Sequence, residues 1–117
     1  MSRILLVEDD VDVRVAMENV LLDGGYKVDA TATAEGAFGF LSCSDYDLIV
    51  ADGRLGDGTG MTVADRGQER GIPSLIVTGY AFIFEELRVK PERYGVLLKP
   101  LHPNELLDAV GRALDAL

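Results

Sequence analysis

Residues 48–61 read "LIVADGRLGDGTGM". Four apolar residues run straight into Asp52, and glycine then stands at 53, 56, 58 and 60. A short, unbroken apolar run bounded by turn residues suits a strand covered on both faces, as in a parallel sheet; a strand with one wet face would alternate. Asp52 would then sit at the carboxyl end of that strand. The glycines after it admit three uses: a phosphate cradle, an ordinary turn, or the rim of a site in which Asp52 itself reacts.

Working outward, "ILLV" (4–7), "LIV" (75–77) and "VLL" (96–98) have the same character, and a weaker fifth run, "KVDA" (27–30), follows the helix-ending pair Gly24–Gly25. Helical spacing fills the intervals. Val11, Val15, Asn19 and Leu22 share one face, widened by Met17, Val20 and Leu21; residues 34–41 and 61–70 follow, the latter ended by Gly71 before Pro73. Residues 81–89 make a poorer helix that Pro91 must end. Leu106, Val110, Ala113, Leu114 and Leu117 form an apolar stripe introduced by Pro103 at a first helical position. Strand then helix, five times over, implies a parallel α/β sheet with right-handed crossovers and helices on both faces. With 117 residues and no internal repeat or linker, one domain is expected.

Composition narrows the function. Hydrophobic residues make up 48%, enough for a core. The net charge of -9 speaks against direct contact with nucleic acid or an anionic membrane, whose phosphates would be repelled. Cys43 is the sole cysteine, so no disulfide can form within the chain and a reduced, cytoplasmic setting is expected. The apolar run in "MSRILLVEDD" is too short for a signal peptide or a membrane span.

In open parallel sheets, ligands gather beyond the carboxyl ends of the strands. There the sequence places Glu8-Asp9-Asp10, Asp52, Thr78 and Lys99-Pro100, each after a different apolar run. Clustered carboxylates repel one another and need a cation to stay ionised together. Oxygen ligands with open positions suit Mg²⁺. A lysine point charge suits a tetrahedral oxyanion such as phosphoryl, and aspartate is an accepted nucleophile for an aspartyl-phosphate. Blander roles compete. Asp10 and Asp12 fit helix capping; Asp52 alone would pass as a turn residue, and Thr78 as a strand residue. His102, beside Pro103, fits a cap better than a phosphodonor. The glycine loop lacks the Gly-Lys-Ser/Thr ending of a P-loop, and Met61 stands where a dinucleotide fingerprint needs its third glycine. Positive φ and tight reversal are the better use for its glycines.

Taken together, "ILLVEDD", "DLIVADGRL", "SLIVTGY" and "YGVLLKP" resemble the four signature blocks of bacterial two-component response-regulator receiver domains, in the right order and at the right intervals from Arg3 to the last helix. The resemblance implies a receiver domain over residues 1–117 with a flavodoxin-like, doubly wound five-stranded sheet of order 2-1-3-4-5. Asp52 would accept phosphate from the histidine of a sensor histidine kinase or a histidine phosphotransfer protein. Asp9 would bind Mg²⁺ directly, Glu8 mostly through water, and Asp52 and the backbone carbonyl of Arg54 would complete the metal set. Thr78 would bond one phosphoryl oxygen after a shift toward the site and Lys99 another, with Lys99–Pro100 cis. Such a chain is a signalling phosphoacceptor rather than an enzyme acting on a separate substrate. Its downstream protein partner stays unidentified, and homodimer formation through the fourth helix, fifth strand and fifth helix stays open. So does the choice between a stand-alone regulator, a relay shuttle and a receiver excised from a longer protein. "LGDGTG" with "TGY" is similar to a receiver subgroup linked to HWE-type histidine kinases.

Two positions depart from the family pattern. Gly56 replaces the usual proline, which should loosen the loop. Val96 stands where many receivers carry a rotating aromatic, so output must differ; Tyr80 beside the site is a partial substitute. Arg54 and Tyr80 flank the expected path of hydrolytic water. Phe82, Ile83 and Phe84 are consecutive and cannot all face inward. These departures keep a rival reading open, an interaction module indifferent to phosphate. A haloacid-dehalogenase type of phosphatase would need a second acid where Arg54 stands, and a flavin phosphate would meet crowded acids.

Overall fold

The computed structural model describes residues 1–89 and 94–115. Strands and helices alternate: β1 (Arg3–Val7), α1 (Val11–Asp23), β2 (Lys27–Thr31), α2 (Ala34–Cys43), β3 (Leu48–Asp52), α3 (Gly60–Gln68), β4 (Ser74–Thr78), α4 (Ala81–Arg88), β5 (Gly95–Leu98) and α5 (Pro103–Asp115). All four strand pairings are parallel, and the order is β2-β1-β3-β4-β5, as the resemblance implied. Pro91 and Leu117, expected at the end of α4 and in the α5 stripe, lie outside the described residues.

The central strands separate two hydrophobic layers, because successive side chains leave opposite faces of a strand. Leu5, Val7, Ile49, Ala51 and Ile76 pack with residues of α2 and α3 on one face. Ile4, Leu6, Leu48, Val50, Leu75 and Val77 pack with α1 and α5 on the other. β1, β3 and β4 are therefore covered on both sides, which is why they read as unbroken apolar runs. Burying each such Leu or Ile side chain is worth roughly 1.5–3 kcal/mol. β5 is an edge strand, exposed at Gly95 and Leu98 and half-buried between them, and Val96 packs from it against the α2–α3 layer.

One expectation fails on α1. Val11, Val15 and Leu22 are exposed, while Met17 and Leu21 are buried and Val13 and Val20 pack beside them. Apolar residues surround much of this helix, so spacing offers two competing stripes, and the sheet selects the one through Met17 and Leu21. On α4, Ile83 is buried and Phe82 exposed, in line with the expected division.

Local signals set the element ends. Asp10 caps α1 by accepting the Val13 amide at 3.1 Å. Gly25 takes φ 94° after α1 and Gly71 φ 74° after α3, conformations that suit glycine. At α5 the His102 Nδ1 accepts the Asn104 amide at 3.2 Å, and Glu105 reaches back to the His102 amide at 3.1 Å. His102 is thus a capping residue. No helix among the described residues is long and apolar enough to cross a membrane.

Candidate functional site

The strand order brings the carboxyl ends of β1, β3, β4 and β5 side by side, and with them the residues singled out above. Glu8 follows β1 and is almost wholly buried, at 1% exposure. Its backbone is tied on both sides: its amide donates to the Thr31 carbonyl at 3.0 Å, and the Arg14 guanidinium donates to its carbonyl at 2.9 Å. Asp52 ends β3. The Lys99 ammonium, just past β5, donates to Glu8 Oε1 and, at 3.0 Å, to Asp52 Oδ2. The Arg54 amide donates to the other Asp52 oxygen, Oδ1, at 3.2 Å. Both oxygens of Asp52 are therefore oriented, one by an ammonium and one by a peptide N–H. The Lys99–Pro100 peptide is cis.

Glu8, Asp9 and Asp52 each present a carboxylate oxygen, and these oxygens lie within 4.8 Å of one another. They open on a cleft of about 410 Å³ that is also lined by Arg54, Gly79, Tyr80 and Lys99. Crowding has an electrostatic signature. Burial, followed by the hydrogen bond to Asp52, pushes the Glu8 carboxyl up to about 7, against the opposing pull of Lys99. For Lys99, burial works against the charge, but its bonds to Glu8 and Asp52 prevail and hold its pKa above the ordinary lysine value. The lysine stays charged while burial disfavours the charged form of Glu8, a cost that a divalent cation would relieve. Oxygen-only donors beside an open cleft with room for several waters fit Mg²⁺, which keeps several waters and takes one or two carboxylates.

Thr78 is set back from this group. It is fully buried, does not line the cleft, and its Oγ1 accepts the Tyr80 amide at 3.1 Å. Gly53 lies against it: a Cβ at position 53 would stand 3.0 Å from Thr78 Oγ1. On the outer rim the Arg54 guanidinium lies 4.8 Å from the centre of the Tyr80 ring, and Tyr80 meets Phe82 edge-on at 6.4 Å.

The loop after Asp52 corrects the expected use of its glycines. Among the four, only Gly58 has positive φ, at 158°, close to extended backbone. Gly60 is there for close approach, since a Cβ would fall 2.1 Å from the Asp52 carbonyl oxygen. Leu55 and Gly58 exchange hydrogen bonds at 2.9 and 3.3 Å, closing a tight hairpin with Gly56 and Asp57 at its tip. Asp57, which carried no role in the sequence reading, receives the amides of Ala34 at 2.9 Å and Glu35 at 3.0 Å. Those two bonds hold its carboxyl below the ordinary aspartate value. Its partners lie 23 and 22 residues away in sequence, with no local pattern to reveal them.

A five-stranded flavodoxin-like sheet with acids and a lysine at its carboxyl edge defines a class, and comparison with known proteins makes it specific. The family model for the response regulator receiver domain matches residues 4–111, and the chain belongs to that family. It is 32% identical over 116 residues to the response regulator protein FleR of Pseudomonas aeruginosa, covering 95% of this chain and 24% of that protein. It is 28% identical over 110 residues to the transcriptional regulatory protein DltR of Streptococcus agalactiae, covering 90% of this chain and 48% of that one. The chain thus spans about a quarter to a half of these relatives. Among solved structures, a CheY-like receiver domain from Methanospirillum hungatei superposes with a TM-score of 0.89 at 26% identity, covering 99% of this chain and 95% of that one. The Thermotoga maritima regulator TrrA, solved with Mg²⁺ and BeF, gives 0.85 at 25% identity, covering 97% of this chain and 100% of that one.

Proposed function

We propose that this receiver takes a phosphoryl group onto Asp52 and, by holding it, shifts the population of a state that a partner protein recognises. The observation that carries the reading is the Lys99 ammonium bridging buried Glu8 to Asp52, with the oxygens of Glu8, Asp9 and Asp52 within 4.8 Å. An Asp52 oxygen attacks the phosphorus, the P–N bond of a donor phosphohistidine breaks, and the imidazole leaves with that electron pair. The donor would be a sensor histidine kinase or a histidine phosphotransfer protein. Mg²⁺, held by Asp9, Asp52 and the Arg54 carbonyl with Glu8 behind, would supply positive charge against the phosphoryl oxygens.

The chain's own groups do the rest. Lys99 exchanges its Asp52 contact for a phosphoryl oxygen, retaining Glu8 as its second partner. The Arg54 amide keeps Asp52 oriented. Thr78 leaves the Tyr80 amide to bond another phosphoryl oxygen, so occupancy of the site is felt at the start of α4. Only such a difference in contacts between the two states can move the equilibrium.

The test is incubation with acetyl phosphate and Mg²⁺, followed by intact mass, beside Asp52→Asn and a metal-free control. One phosphoryl adduct that requires both Asp52 and the metal is expected. Absence of an adduct, with no response of the amide spectrum to a stable phosphoryl mimic, would favour an interaction module independent of phosphate.

A further inference from the structure

The hairpin tip Gly56–Asp57 is fastened to another element, and that attachment has a consequence for the site. Thr33 caps α2, its Oγ1 accepting the Gly36 amide at 2.9 Å. The preceding free amides, Ala34 and Glu35, both go to Asp57. A carboxylate is the favoured acceptor there, since the amides and the helix dipole both point positive charge at it. Asp57 is otherwise exposed, and so is Gly56. Below them, Leu55 is buried at 8% in the α2–α3 layer. The peptide between Asp52 and this fastened tip is that of Gly53 and Arg54, whose amide orients Asp52 at 3.2 Å.

We infer that Asp57 is a positioning residue: by tying the β3–α3 hairpin to the first turn of α2, it holds the Arg54 peptide in register with Asp52 and so preorganises the Mg²⁺ site from outside it. This rests on the reading proposed above. It also accounts for the glycine at 56. Proline there would restrict the loop through the chain itself; here two hydrogen bonds to a neighbouring helix supply the restriction instead. The geometry makes the two devices interchangeable. Gly56 is the second residue of a four-residue turn, a position that favours proline. It lacks positive φ, and a Cβ there meets nothing within 4 Å. Leu55 before it lies in a β-bridge, the extended state a following proline requires.

The experiment compares Mg²⁺ affinity, read from amide shifts, in the wild type, D57A, D57N and the double variant G56P/D57A. Amide hydrogen exchange at Leu55 and Gly58 is measured on the metal-free proteins, so loop order is seen without the ion. D57A should weaken Mg²⁺ binding roughly tenfold, in the range known for groups behind a metal's own ligands. D57N keeps one acceptor and should fall between. Proline at 56 should recover roughly threefold of the D57A loss, with restored protection at Leu55 and Gly58. Unchanged Mg²⁺ affinity in D57A overturns the inference. Equal losses in D57A and D57N without recovery by G56P also overturn it, because charge removal alone would then explain the effect. A wild type that takes up no Mg²⁺ refutes the parent reading, and does so before any variant is compared.

Discussion

Two of the loops that wall the cleft are built on opposite principles. The β3–α3 loop is fastened at every point: Leu55 is buried, Asp57 is bound to two amides of α2, and Thr59 caps α3 by accepting the Thr62 amide at 3.3 Å. The β4–α4 loop has little of this. Tyr80, the first residue before α4, makes no side-chain cap bond, and Ile83 is the buried anchor of that helix. What holds the loop is the Tyr80 amide on Thr78, the Arg54 stack and an edge contact with Phe82, itself 64% exposed. A stack between an exposed ring and a guanidinium is worth about 0.5–1 kcal/mol. One wall thus presents a fixed reference and the other can be moved at small expense, the division a two-state device needs.

The contrast can be broken most severely at Gly60. Gly60→Ala would force a Cβ against the Asp52 carbonyl, a backbone atom that cannot yield, and should lower unfolding free energy by about 3 kcal/mol in urea denaturation. A loss below about 1 kcal/mol would show the fixed wall to be soft. A smaller effect sharpens the comparison of caps. Thr59→Ala should cost about 1 kcal/mol and speed exchange in the first turn of α3. Tyr80→Ala should cost less than about 1 kcal/mol, and α4 amides should exchange faster than those of α3 even in the wild type. Slower exchange in α4 would reverse the assignment of the walls.

The smallest effect concerns pH. The Asp57 carboxyl is held below its ordinary value of 3.8 by the amides of Ala34 and Glu35. A depressed carboxyl contributes stability that is complete above the unfolded value and is lost as pH falls through the folded one. The wild type should therefore exceed D57N in stability near neutrality, with the gap closing in acid. An NMR titration of the Asp57 carboxyl carbon with its midpoint at or above 3.8 would contradict this.

Much of the architecture was legible in residue order. Apolar runs such as "ILLV" and "LIVA" mark strands because burial on both faces leaves no polar alternation, and this settled the parallel sheet. The acids, Asp52, Thr78 and Lys99 could be placed at one edge of the sheet because each follows a different strand run. On α1, by contrast, the expected packing face centres on Val11, Val15, Asn19 and Leu22, whereas the sheet beneath takes Met17 and Leu21, on the stripe shared with Val13 and Val20 that no polar residue interrupts. Thr78 was identified by position, yet its withdrawal behind Gly53 was invisible, because it depends on how β3 and β4 pack.

The sequence by itself therefore determined which segments are buried and which polar groups end them, since both follow from local pattern and hydrophobicity. Tertiary structure decided who meets whom. Lys99 reaches Glu8 across 91 positions and Asp57 reaches Ala34 across 23, distances over which only the crossovers control geometry. A carboxylate in a glycine loop carries no mark of the helix whose amides it will bind. That pairing exists only once β1, β3 and α2 are packed, because a hydrogen bond needs its partners within about 3 Å and nothing in the local chain brings them there.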